Sequence, residues 1–85
     1  MDTKKIAGQN IKAFRSLRGI TQRELGKKVN LHAPYIGAVE RGERNISLDN
    51  LTKIAGALEI PIHILLIEGA YSWLKQRDYN RSLSS

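Results

Sequence analysis

Apolar residues recur along this chain at intervals of three and four, the spacing of helices that bury one stripe. Ala7, Ile11, Phe14 and Leu17 or Arg18 mark the first stripe and predict a helix from about residue 4 to Arg18, with Gly19 as its stop. Leu25 and Val29 form a second pair, and Ile36 and Val39 a third. Leu48, Leu51, Ile54, Ala55 and Leu58 line one face of a fourth helix. The run Ile60-Pro61-Ile62-His63-Ile64-Leu65-Leu66-Ile67 is apolar nearly all round, and Pro61 opens a short fifth helix through about Glu68.

Between the stripes stand the residues that start and stop helices. Thr21 is a good N-cap, and Glu24, three residues on, can reach back to its amide and complete a capping box. Ile20 is placed to pack on Leu25 as a hydrophobic staple. Asn30 tolerates the left-handed conformation and ends that helix in the turn Val29-Asn30-Leu31. Pro34 suits the first turn of the next helix, which Gly42 ends. Thr21 to Gly42 therefore reads as a helix-turn-helix, with Gly26 where the two helices approach most closely and only a very small side chain fits. Ser47 is the next N-cap, with Asp49 suited to the positive end of that helix.

Eighty-five residues make one domain with a small core. The expected fold is all-α: a five-helix domain over residues 6–68, preceded by a short basic arm at 1–5. An extension at 69–79 and a disordered tail at 80–85 follow. The extension carries Tyr71, Trp73, Leu74 and Tyr79, and is either a sixth short helix covering the apolar patch or part of a dimer contact. One short helix cannot bury every residue of the apolar run, so some of Ile62, Ile64 and Ile67 should face a partner. The expected dimer interface is thus Ile62, Ile64, Ile67, Tyr71, Trp73 and Leu74.

Charge sharpens the picture. Ten basic and four acidic side chains lie in residues 1–45, and four of each in 46–85, so the whole net charge of +6 belongs to the half with the helix-turn-helix. A basic half-molecule attracts a polyanion and speeds encounter with DNA. There is no cysteine, hence no disulfide framework and no thiolate site. His32 and His63 have no companions at metal-ligand spacing, and no phosphate loop or nucleophile elbow is present. These absences argue against an enzyme and against a metal or other cofactor. No signal-like or membrane-length apolar stretch is present, which leads us to expect a cytoplasmic protein.

Four segments carry a family resemblance: Ile11-Lys12-Ala13-Phe14-Arg15, Thr21-Gln22-x-x-Leu25-Gly26, Tyr35-Ile36-x-x-Val39-Glu40-Arg41-Gly42 and Leu51-x-x-Ile54-Ala55-x-x-Leu58. Residues 8–68 resemble the phage repressor and Cro type of helix-turn-helix domain, also called the xenobiotic response element family. The small size and short extension are similar to the controller proteins of restriction–modification systems. The resemblance implies a five-helix bundle that binds operator DNA, usually as a two-fold dimer. It places Gln22, between Thr21 and Arg23 at the N-terminus of the first motif helix, on a DNA phosphate. It also pairs Arg15 with Glu40 as a helix-to-helix ion pair. The family commonly has Ala where this chain has Gly26, and often Gly where it has Asn30.

Tyr35, Arg41, Arg44 and Asn45 lie at or near the ends of the recognition helix, about residues 33–41, and carry donors suited to phosphates. The reading face departs from the family pattern. Base-contacting positions there often hold Gln, Arg, Ser or Thr; here they hold Ala33, Pro34 and Ala38, with Gly37 beside it. None can donate a hydrogen bond to a base, though Ala can pack on a thymine methyl. His32 is the other polar neighbour. Specificity is therefore expected to rest on DNA shape, thymine methyls and flanking donors. Two functions follow: a transcriptional regulator that binds a palindromic operator as a homodimer, or an antitoxin-like interaction module whose apolar C-terminal surface binds another protein.

Overall fold

The computed structural model describes residues 2–72. Trp73, Leu74, Tyr79 and the tail at 80–85 lie outside the described residues, as does Met1. Four α-helices follow one another: α1 over Thr3–Leu17, α2 over Gln22–Val29, α3 over Ala33–Glu40 and α4 over Leu48–Leu58. A fifth, 3-10 helix spans Ile62–Leu66, and among the described residues there is no strand.

The capping residues act as the sequence predicts. The Thr21 hydroxyl accepts from the Glu24 amide at 3.0 Å, and the Glu24 carboxylate accepts from the Thr21 amide at 3.0 Å. Asn30 takes the left-handed conformation at φ 58°. A Cβ on Gly26 would run into the Leu31 carbonyl oxygen, so the tight turn depends on its absence. At the end of α3, Gly42 adopts φ 75°, which lets the Glu43 amide reach the Ala38 carbonyl (2.9 Å) and the Gly42 amide reach that of Val39 (3.0 Å). These two bonds satisfy carbonyls that a helix end otherwise leaves unpaired. Ser47 caps α4 through the Asn50 amide at 3.1 Å.

One core unites the elements. Ile11 and Phe14 of α1, Leu25 and Val29 of α2, Ile36 and Val39 of α3, and Leu51, Ile54 and Leu58 of α4 meet Leu65 and Ala70. Tyr71 sets its ring edge-on to Phe14, with centroids 5.9 Å apart, so this extension residue packs on its own chain.

Several expectations are corrected. The basic arm is not separate: Asp2 caps α1 by accepting from the Lys4 and Lys5 amides, and residues 3–5 form its first turn. Leu17 is 60% exposed, whereas the alternative, Arg18, lays its guanidinium on the Leu58 carbonyl at 3.0 Å. Leu48 is 72% exposed rather than inward, because helical side chains lean toward the N-terminus and carry a first-turn residue past the core. The fifth helix winds as 3-10, with Pro61 as its N-cap. Its tighter turn buries Leu65 fully, half-buries Ile62 and Ile64 against the core, and leaves Leu66 and Ile67 exposed at 42% and 47%. Of the expected dimer residues, only Ile67 is openly exposed among those described.

Candidate nucleic-acid interface

The site is built on α3, and α3 is locked from behind by charge. Arg15 on α1 donates to both Glu40 oxygens, Nε to Oε2 at 2.6 Å and an Nη to Oε1 at 3.0 Å, and donates a third bond to the Ile20 carbonyl at 2.8 Å. Glu40 is 2% exposed at its side chain. Its carboxylate holds the Arg15 guanidinium protonated to still higher pH than an ordinary arginine. Gln22, at the start of α2, adds a third donor: its Nε2 gives a bond to Glu40 Oε1 at 2.9 Å. The expected ion pair is thus a three-helix junction that fixes α1, α2 and α3 together.

Gln22 therefore has a structural partner as well as the phosphate role expected of it. Gly37 lies beneath it. A Cβ at Gly37 would stand 3.2 Å from both the Gln22 Oε1 and an Arg41 Nη, so the two side chains converge above this one position of α3. Gly37 is buried by that cover and is not part of the open face. The open face consists of Ala33, Pro34 and Ala38, with Arg41 at its end. No side chain among the first three can donate a hydrogen bond.

The two ends of α3 are basic. At the N-terminal end, Arg23 and Lys27 of α2 line a shallow concavity with Asn30, Leu31, His32 and Ala33. His32 occupies the N-cap position, yet among the described residues its side chain makes no capping bond. Arg41 follows the C-terminal end, and Arg44, in the segment connecting α3 to α4, folds back to stack its guanidinium over the ring of Tyr35, the third residue of α3, 5.4 Å from its centroid. The Tyr35 hydroxyl accepts from Asn50 Nδ2 at 3.4 Å, which ties it to the first turn of α4. Arg41 pairs with Glu43 at 3.0 Å. That bond raises the Arg41 pKa and lowers the Glu43 pKa. Asn45 is exposed in the same connecting segment, and Thr21 and Arg23 are exposed at the start of α2.

The structure thus puts Arg41 just past the C-terminal end of α3, Arg23 and His32 at its N-terminal end, and Arg44 against Tyr35, with Asn45 exposed in the connecting segment. Asn50 is a partner that the sequence did not single out; its place in the first turn after the Ser47 cap was the available signal. Among the described residues no cluster of His, Cys, Asp or Glu could hold a metal ion, and no helix is long and apolar enough to cross a membrane.

Comparison with known proteins gives the same direction. Residues 11–65 match a family described as helix-turn-helix. The chain is 39% identical over 66 residues to the control protein C.SmaI of Serratia marcescens, covering 78% of this chain and 79% of that one. It is 40% identical over 73 residues to the immunity repressor protein of Bacillus phage phi105; this covers 86% of the chain but only 51% of the repressor. Among solved structures, the biofilm regulator SinR in complex with DNA superposes with a TM-score of 0.69 at 32% identity, covering 72% of this chain and 98% of that one.

Proposed function

The chain belongs to the helix-turn-helix family and is a DNA-binding transcriptional regulator, not an enzyme, and from that premise we propose that it acts as a homodimer on a palindromic operator. Each α3 enters a major groove, with half-sites about one helical turn, roughly 34 Å, apart. The observation that carries this reading is the open face of α3, bare along its length and basic at both ends. Cations at the ends meet the phosphate walls and set register. The bare middle lets the helix sit close to the base pairs.

Specificity on this reading comes from three sources: thymine methyls against Ala33 and Ala38, DNA deformability, and donors at the flanks. Exposed Ile67 and Leu66 supply the apolar surface on which the second copy docks. The same two residues favour a second reading, in which that surface takes a different protein, as in an antitoxin-like module.

Sedimentation of the protein alone and with DNA fragments from around its own gene separates the two. A free dimer that binds one fragment tightly, with affinity falling steeply as salt rises, supports the operator-binding homodimer. A monomer with uniform weak binding overturns it in favour of the interaction module. Once a fragment is found, replacing its half-site thymines with deoxyuridine should weaken binding, since only the methyl groups are lost. Unchanged affinity would remove the methyl contacts from the account.

A further inference from the structure

Three contacts fix which face of α1 lies along α3. A Cβ on Gly8 would run into the Val39 carbonyl oxygen and come within 2.8 Å of that of Glu40. Arg15 bonds the Glu40 carboxylate. At the far end, Lys5 covers Gly42: a Cβ on Gly42 would stand 2.7 Å from Lys5 Cγ and 3.3 Å from its Cα. Lys5, Gly8 and Arg15 share one helical face, and Lys5 is the member at the end nearest the connecting segment. The Lys5 side chain is exposed and forms no ion pair among the described residues.

The length of α3 gives this position meaning. Eight residues span about 12 Å, close to the width of the major groove, about 12 Å. A helix of that length set across the groove has its ends near the phosphate walls. Arg41 and Gly42 directly follow the C-terminal end of α3, and Lys5 covers Gly42. We propose that Lys5, seated on Gly42 by its aliphatic stem, contacts a DNA phosphate, so that the first turn of α1 extends the interface beyond the helix-turn-helix. This rests on the reading that α3 enters the major groove. The stem is held by packing, so its ammonium loses less freedom on binding than a lysine on an open surface.

The test compares full-length variants on the fragment the protein binds and on an unrelated duplex, between about 50 and 200 mM salt. Lys5→Met keeps the stem and removes the charge. It should reduce the slope of log affinity against log salt by about 0.9 and weaken both duplexes alike. Lys5→Arg should keep the wild-type slope. Lys53→Met on α4 makes the same change in net charge, beside Lys28 and Glu59 instead of Gly42, and should also leave the slope alone. A thermal melt checks that Lys5→Met stays folded; if it does not, Lys5→Gln takes its place in the comparison. A Lys5→Met slope equal to that of wild type or of Lys53→Met overturns the proposal. If the wild-type protein itself shows no salt-dependent DNA binding, the groove reading fails and the Lys5 contact with it.

Discussion

Replacing Arg15 with methionine removes the charge at the junction of three helices while keeping most of the side-chain stem. Glu40 then stays buried, at 2% exposure, with Gln22 as its remaining side-chain donor. Removing one partner of a buried ion pair costs about 3–5 kcal/mol, because the remaining charge is neither solvated nor paired. The Ile20 carbonyl also loses a donor, but Ile20 is only half-buried and water can take that place. An 85-residue domain holds roughly 4–13 kcal/mol in all, so the change takes about a quarter or more of the total. With a urea dependence near 1 kcal/mol per molar, the unfolding midpoint, followed by circular dichroism, should drop by about 3–5 M. The reasoning makes a second, sharper demand. Arg15→Met combined with Glu40→Leu removes the stranded charge, and should recover to within about 1 kcal/mol of wild type. A double variant as unstable as Arg15→Met alone would refute the claim that an unpaired buried carboxylate is the source of the loss. So would a single variant within about 1 kcal/mol of wild type.

Asn10 is the polar residue that ties α1 to the 3-10 helix: its Nδ2 donates to the carbonyls of Leu65 at 2.9 Å and Ile67 at 2.8 Å. Asn10→Ala should cost about 1–3 kcal/mol and speed amide hydrogen exchange around residues 64–67 more than elsewhere; uniform exchange would argue against a local tether. The Glu24 carboxylate is held below the usual carboxylate range chiefly by the Thr21 backbone amide and then by its hydroxyl. A lowered folded pKa contributes stability that is present above the unfolded value and lost as pH falls through the folded one. The melting temperature of wild type should therefore exceed that of Glu24→Gln at neutral pH, and the gap should close on acidification; a constant gap would mean the carboxylate's charge is not what the cap uses.

How much of this was legible in sequence depended on whether the signal was local. The capping box needs only Thr21 and Glu24, the turn only Asn30, and the end of α3 only Gly42, so short-range chemistry located both motif helices. The Arg15–Glu40 pair came from family resemblance, since nothing local links residues 25 positions apart. Asn10 was missed because it is polar, yet it stands four residues after Ile6 and four before Phe14, inside the buried stripe. A polar residue on an apolar stripe is a sign that a buried carbonyl needs a donor. Leu48 misled for the opposite reason: it keeps the helical period but sits one turn beyond the core. The 3-10 winding of the fifth helix was not legible, because an all-round apolar run looks the same at either pitch. The third member of the charge junction, Gln22, was expected to face outward. Only the packing of α2 against α3 shows that its amide also turns inward to Glu40.

The open face of α3 has a consequence for how such a protein can change. Ala33, Pro34 and Ala38 contribute little to the core, while Ile36, Val39 and Glu40, on the same helix, hold the fold together. On the proposed groove-binding reading, stability and target choice fall to separate residues of one short segment. Small side chains on the outer face leave room for longer ones, so a single substitution such as Ala38→Gln can add a base contact with little disturbance of the scaffold. Gly37 is the exception, since Gln22 and Arg41 already occupy the space above it. If α3 reads DNA as proposed, a lineage carrying this arrangement is free to drift toward new operators at two or three positions, and is bound to its present chemistry at one.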